Sequence, residues 1–215
     1  MKLYKALTIL FIVASIANGQ KRWDSPHIVT AYCSGCHGVD GNSQLPYFPK
    51  LGGLQAGYAE KKLTAFKEPA SPPVDELFAW IKRNPKNLTR DERINMEGVA
   101  HSAKAEIIKE AVVWYSQQPA AHGRASNKEM MAAGAELFMK GVPSQKILPC
   151  MSCHGANAEG KGLAPRLAGQ NAEYIESQLV KFRLGDRTHA PEMTMVTRDL
   201  DTAQAHAAAT YLQSR

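Results

Sequence analysis

The four cysteines of the chain are the residues best placed to do chemistry, because they form two C-x-x-C pairs that are each followed by histidine. The two motifs are Cys33-Ser34-Gly35-Cys36-His37 and Cys150-Met151-Ser152-Cys153-His154. On a helical turn, residues i, i+3 and i+4 share one face, so the two thiols and the imidazole of each motif point the same way. This spacing favours a c-type haem, whose vinyl groups take up the thiols while the imidazole reaches the iron.

Other chemistries are open to a single C-x-x-C pair but explain the doubled motif less well. Such a pair can be a redox dithiol, half of a zinc site or a disulfide. A dithiol of the thioredoxin kind needs a βαβ setting, which this sequence lacks, and one four-thiolate zinc site would leave both histidines without a role. Two covalently attached haem c groups are therefore predicted, bound through Cys33, Cys36, Cys150 and Cys153, with His37 and His154 as iron ligands.

The sixth iron ligand decides what a haem of this kind can do, because methionine or histidine closes the iron for electron transfer and an open position admits oxygen or peroxide. Met96 is the one methionine between the N-terminal methionine and Met130, whereas Met193 and Met195 compete in the second half. When the two halves are aligned so that Val99 coincides with Val196, Met96 pairs with Met193. Methionine more often fills a core, yet these residues occupy corresponding polar stretches ahead of the last helix of each half. Met96 and Met193 are the predicted sixth ligands.

The remaining histidines have no counterparts at matching positions and are assigned to the surface or to loops: His27, His101, His122, His189 and His206. His101 and His189 lie close to the candidate methionines in sequence and are the alternative ligands. Three further methionines lie on a predicted helix and are assigned to the core: Met130, Met131 and Met139.

The sequence repeats itself once along its length. The C-x-x-C-H motifs are 117 residues apart, and seven further identities recur at an offset of 116. These are Pro49, Leu51, Gly53, Ala56, Tyr58, Leu63 and Phe66, which return as Pro165, Leu167, Gly169, Ala172, Tyr174, Leu179 and Phe182. So many identities in one register indicate a tandem duplication of a unit of about 90–100 residues, a common size for a small domain.

Helical signals dominate the chain, which predicts an all-α protein. Helices are expected over Ile28–Cys36, Gly57–Lys67, Lys104–Gln117, Lys128–Met139, Glu173–Phe182 and Leu200–Leu212, with Asn127 and Gly141 bounding the fourth of these. The predicted organisation is a signal peptide at 1–19, a first domain at 20–118, a linker at 119–127 and a second domain at 128–215. The first domain carries an insertion at about 68–95 with a short helix, Val74–Arg83, because 30 residues separate Phe66 from Met96 but only 11 separate Phe182 from Met193.

The N-terminus reads as a signal peptide rather than as part of a fold. Two early lysines precede the apolar run Ala6–Ala17, and Gly19 ends a small-residue pattern that suits cleavage before Gln20. The run is short for a membrane span, which needs about 20 apolar residues. The mature chain is therefore predicted to be periplasmic, with an uncleaved leader that holds it at the membrane periphery as the alternative.

Composition and charge narrow the function further. The chain is 44% hydrophobic and 21% charged, as is ordinary for a globular protein. Loss of residues 1–19 removes two lysines and no acidic residue, so that the net charge of +6 falls to +4. No basic cluster alternates with aromatic residues, and binding to nucleic acid is not expected.

The chain resembles the cytochrome c4 family, whose members are exported proteins made of two duplicated class I cytochrome c domains. The resemblance covers the whole mature chain and rests on both C-x-x-C-H motifs, the segments Phe48–Gly53 and Ala164–Gln170, and the methionines ahead of the closing helices. It implies that each domain is wrapped around one haem, that the methionines are sixth ligands, and that the two haems lie close together. It also implies that the carbonyl of Pro49 or Pro165 accepts a hydrogen bond from the imidazole.

An electron carrier without substrate chemistry of its own is the predicted function, with no catalytic residue. The resemblance implies donors such as a quinol-oxidising complex and acceptors such as a terminal oxidase. A dihaem peroxidase with one open iron is an alternative, and a dihaem electron-transfer subunit of a dehydrogenase complex is another. The two haem potentials and the identity of the partners do not follow from the sequence.

Overall fold

The computed structural model describes residues 25–67, 92–125, 127–187 and 189–215, with side chains of the second range described from Met96 onward. The predicted signal peptide and nearly all of the predicted insertion at 68–95, with its short helix, lie outside these residues. Within the described ranges the regular structure is helical, and extended pairing is limited to two isolated bridges, Val142–Ile147 and Lys161–Ala164. The prediction of an all-α fold is confirmed.

The first half contains four α-helices in the part that the structure describes. Their bounds are Ser34–His37 (α1), Ala56–Ala65 (α2), Glu92–Ser102 (α3) and Ala105–Gln117 (α4). The helix expected over Ile28–Cys36 is divided, because a π-helical turn, Val29–Cys33, leads into α1. The hydroxyls of Thr30 and Ser34 bond to carbonyls three and four residues earlier, at 3.1 Å each, and such side-chain competition bends helices.

The second half has five α-helices within the described ranges. They are Lys128–Lys140 (α5), Met151–His154 (α6), Ala172–Leu184 (α7), Pro191–Thr197 (α8) and Thr202–Gln213 (α9). The predicted ends of α5 are confirmed, since Asn127 Oδ1 accepts a 3.0 Å bond from the Met130 amide and Gly141 follows the last residue. The helix α9 starts later than predicted, because Asp201 and Gln204 form a capping box.

The core of the second half lies between α5 and α9. Phe138 on α5 is 1% exposed and its ring lies 5.5 Å from that of Tyr211 on α9. The two helices approach closely at Gly134, where a β-carbon would lie 2.0 Å from the carbonyl oxygen of Ala207. Met139 points away from this contact and is 48% exposed, so its assignment to the core was wrong.

In the first half, α4 holds the chain that follows α1. The Tyr115 hydroxyl donates to the Gly38 carbonyl at 3.0 Å, and Trp114 Nε1 donates to the Val39 carbonyl at 2.8 Å. Tyr115 is buried beside Ile28 and Val29 in the described core of this half. The helix that closes the first half therefore fixes the backbone just beyond the first C-x-x-C-H motif.

The duplication is visible in the backbone as well as in the sequence. The Gly41 carbonyl accepts from the amide of Leu51 at 2.6 Å and of its neighbour Gly52, and the Ala158 carbonyl accepts from Leu167 at 2.8 Å and from the residue after it. Gly41 and Ala158 both have left-handed backbone, with φ of 75° and 55°. A loop with the same hydrogen bonds therefore follows each C-x-x-C-H motif in the chain.

Candidate haem-binding sites

Each C-x-x-C-H motif lies at the end of a short helix. Cys33 ends the π-helical turn with Cys36 and His37 on α1, and Cys150 precedes α6 with Cys153 and His154 on it. In both cases the glycine after the histidine has a positive φ, 78° at Gly38 and 82° at Gly155, which lets the chain turn away directly after the imidazole. None of the four cysteines forms a disulfide.

Both imidazoles are buried and oriented by a proline carbonyl. His37 is 6% exposed and its Nδ1 lies 2.9 Å from the Pro49 carbonyl oxygen, while His154 is 5% exposed and its Nδ1 lies 2.9 Å from the Pro165 carbonyl oxygen. A carbonyl can only accept, so Nδ1 carries the proton and Nε2 is the nitrogen suited to bind a metal. The contact that the family resemblance implied for one or other proline is thus present in both halves.

The pKa values of these thiols argue against a redox dithiol. Burial, and less strongly the neighbouring cysteine, raises the pKa of Cys33 to about 11, and burial likewise raises the pKa of Cys150 to about 11. Dithiols that exchange disulfides have a lowered pKa instead. Burial also lowers the pKa of His154, although its bond to Pro165 opposes this, so the ring is held in the neutral form that binds metals.

The methionines lie on helices that the sequence did not predict. Met96 is on α3, which packs against α2, and Met193 is on α8, which packs against α7. Met96 and Met193 are both half-buried, whereas Met195 is 65% exposed. The Thr197 hydroxyl donates to the Met193 carbonyl at 2.7 Å, within α8. The burial favours Met193 over Met195 as the ligand, and both ligand assignments stay predictions.

Amide side chains join the two halves next to the histidine-bonded prolines. The Lys50 amide donates to Gln170 Oε1 at 2.7 Å, and the Gln170 side-chain amide donates back to the Lys50 carbonyl at 3.0 Å. The Arg166 amide donates to Gln55 Oε1 at 2.9 Å, and Gln55 Nε2 donates to the Glu159 carbonyl at 3.0 Å. Sequence reasoning missed these residues, and the one signal was that Lys50 and Arg166 occupy the same position of the repeat.

Asn171 adds a third amide to the contact between the halves. It is buried, and its side-chain nitrogen donates to the carbonyls of Leu45 at 3.0 Å and Phe48 at 2.9 Å. The predicted linker also contacts both halves, since the Pro119 carbonyl accepts from Asn42 and the Arg124 amide donates to the Gln213 carbonyl. The two C-x-x-C-H motifs are therefore held in one hydrogen-bonded assembly.

The other histidines are placed largely as predicted. Those on the surface are His27, His101, His122 and His206. The ring of His206 pairs with Glu176 at 2.9 Å, and His189 is half-buried ahead of α8. The predicted ligands remain His37 and His154, the two histidines that follow paired thiols.

Comparisons with known proteins agree with this arrangement. The cytochrome c family profile matches residues 17–97 and 131–215. Cytochrome c4 of Stutzerimonas stutzeri is 32% identical over 85% of this chain and 84% of its own. A thiosulfate dehydrogenase electron acceptor of the same species is 31% identical over 96% of this chain and 90% of its own.

The crystal structure of reduced recombinant cytochrome c4 from Pseudomonas stutzeri superposes with a TM-score of 0.70 at 28% identity, over 86% of this chain and 94% of that one. The fold is accordingly two tandem cytochrome c domains. Each carries one covalently attached haem c, and the residues present fit that group, because each half has two cysteines outside any disulfide and a buried imidazole whose Nδ1 contacts a proline carbonyl. The chain belongs to the cytochrome c4 family.

Proposed function

We propose that the mature chain is a periplasmic carrier that passes single electrons between redox partners through two haems, each with histidine and methionine as axial ligands. The assigned ligands are His37 and Met96 for the first haem, and His154 and Met193 for the second. The observation that carries the proposal is the pair of buried imidazoles, each bonded to a proline carbonyl at 2.9 Å beside two cysteines that form no disulfide.

In each site the cysteines would attach the haem, and the histidine and methionine would bind its iron. Cys33 with Cys36, and Cys150 with Cys153, would hold the porphyrin covalently. A haem c bound there supplies one-electron chemistry between Fe(II) and Fe(III), and a thioether ligand favours the reduced state. The bond to the proline carbonyl keeps each imidazole in one tautomer and orientation, so the ligand need not reorient when the iron changes oxidation state.

The partners are proposed from the relatives. One relative is described as a thiosulfate dehydrogenase electron acceptor, which favours a dehydrogenase as donor, and a quinol-oxidising complex is the other proposed donor. A terminal oxidase is the proposed acceptor.

Export rests on the leader pattern of residues 1–19. Among the residues that the structure describes, no helix is long and apolar enough to cross a membrane.

Anaerobic mixing of the oxidised holoprotein with a candidate donor tests this proposal. We expect full reduction of two haems per chain by thiosulfate with a thiosulfate dehydrogenase, or by quinol with a quinol-oxidising complex, and little reduction by either substrate alone. Addition of peroxide to the protein in the presence of excess reductant should give no catalytic turnover, because methionine closes both irons. Sustained peroxide consumption by the chain at the expense of that reductant would support the peroxidase instead of the carrier.

A further inference from the structure

In each half, one peptide unit lies between the buried imidazole and an amide side chain of the other half. The carbonyl of Pro49 accepts from His37 Nδ1 at 2.9 Å, and the amide on the other side of the same peptide bond, that of Lys50, donates to Gln170 Oε1 at 2.7 Å. The imidazole of the first domain is therefore linked to a side chain of the second through a single peptide group.

The second half has the same arrangement in reverse. The Pro165 carbonyl accepts from His154 Nδ1 at 2.9 Å, and the Arg166 amide donates to Gln55 Oε1 at 2.9 Å. Simple duplication does not account for this symmetry. At the repeat offset of 116, the residue that corresponds to Gln170 in the first half is Leu54, not a glutamine. The two glutamines reach equivalent peptides from non-equivalent positions.

The glutamines are held so that their oxygens stay on these amides. Gln170 is 7% exposed, its Nε2 donates to the Lys50 carbonyl at 3.0 Å, and its Oε1 also accepts from the Asn171 amide at 3.0 Å. Gln55 is half-buried and is fixed through its Nε2, which donates to the Glu159 carbonyl at 3.0 Å. Rotation of the Gln170 side chain would break three hydrogen bonds, and rotation of Gln55 would break two.

Hydrogen bonds in series through one peptide reinforce one another, because each polarises the group that makes the next. An acceptor on the Lys50 amide makes the Pro49 oxygen more negative and strengthens its bond to the His37 imidazole. A stronger bond at Nδ1 makes the ligating nitrogen more basic. A more basic ligand stabilises Fe(III) over Fe(II), and so lowers the reduction potential of that haem.

We infer that Gln170 and Gln55 are positioning residues through which each domain lowers the reduction potential of the other domain's haem. Gln170 acts on the first haem through Lys50 and Pro49, and Gln55 acts on the second through Arg166 and Pro165. The inference rests on the proposed ligation by His37 and His154. The contact between the two domains would then help to set both reduction potentials, in addition to setting the distance between the haems.

Spectroelectrochemical titration of the holoprotein, with the two haems assigned by NMR, tests this inference. Gln170→Met removes the acceptor and should raise the potential of the first haem, while Gln170→Glu supplies a stronger, charged acceptor and should lower it. The second haem should shift several-fold less in both variants. Gln55→Met should raise the potential of the second haem instead, and it remains a test if the buried Gln170 variants do not fold.

Asn171→Ala is the matched control, because Asn171 bonds across the same contact to Leu45 and Phe48 but its side chain does not reach the Lys50 amide. It should leave both potentials nearly unchanged. In the reduced protein, the Nδ1 proton of His37 should move upfield in Gln170→Met and stay in place in Asn171→Ala, as expected for a weakened bond.

Unchanged potentials in folded Gln170 and Gln55 variants would overturn the inference, as would equal shifts of both haems in these variants and in Asn171→Ala. Failure of the proposed ligation is a separate result, because it would appear in the unsubstituted protein as a haem that is not six-coordinate and low-spin.

Discussion

Replacement of Met193 by alanine is expected to vacate the sixth position of the second haem iron and to lower the reduction potential of that haem alone. A thioether ligand favours Fe(II), so its loss stabilises the oxidised state and leaves a position that water or an added ligand can fill. Redox titration and absorption spectra of the purified variant measure both effects. The first haem should keep its potential, because its proposed methionine, Met96, lies on a different helix, α3.

Met195→Ala is the control for this experiment. Met195 lies on the same short helix but is 65% exposed, whereas Met193 is half-buried, so truncation of Met195 should leave both potentials and both spectra nearly unaltered. If Met195→Ala opened the iron and Met193→Ala did not, the alignment of the two halves would be displaced by two residues. The helical form of α8 makes the two outcomes easy to separate, since its residues 193 and 195 point to different sides.

Substitution of Gly134 by alanine is expected to destabilise the second domain by about 3 kcal/mol, although alanine is the better helix former. A β-carbon at Gly134 would lie 2.0 Å from the Ala207 carbonyl oxygen and 2.7 Å from Cβ of Tyr211. These atoms belong to the backbone and the base of a side chain on α9, so they cannot move aside cheaply. The helices α5 and α9 would have to separate, which would open the core around Phe138.

Gly98→Ala is the matched control, because Gly98 is also helical but none of the residues that the structure describes lies within 4 Å of a β-carbon built there. It should stabilise the first domain by about 0.5–1 kcal/mol through helix propensity alone. Urea unfolding of the holoprotein, followed by circular dichroism, compares the two variants. Similar small effects for Gly134 and Gly98 would show that α5 and α9 do not pack as closely as the structure places them.

The chemistry of this protein was predictable because its signals are local. The spacing of Cys33, Cys36 and His37 requires only one helical turn, and its recurrence at Cys150 identifies the duplication without knowledge of the fold. Helix ends with a local cause were predictable for the same reason, as at Asn127, whose side chain accepts from an amide three residues later.

Features that depend on contacts between distant residues were not predictable. Gln170 lies 120 positions from Lys50, and nothing in the sequence near either residue indicates their two hydrogen bonds. The helix that carries Met96 was missed because its sequence is largely polar and contains Gly98, and the helix that carries Met193 was missed because it has only seven residues. Both are supported by packing, on α2 and α7. The left-handed backbone of Ala158 likewise follows from its loop and not from alanine's own preference.

Histidine–methionine ligation of both haems is tested by the far-red absorbance of the oxidised holoprotein, measured against the number of covalently bound haems. We expect two haems per chain and a weak far-red band whose intensity corresponds to two iron–thioether bonds, one from Met96 and one from Met193. A band of half that intensity, accompanied by a high-spin haem that binds cyanide or peroxide rapidly in the resting protein, would contradict it.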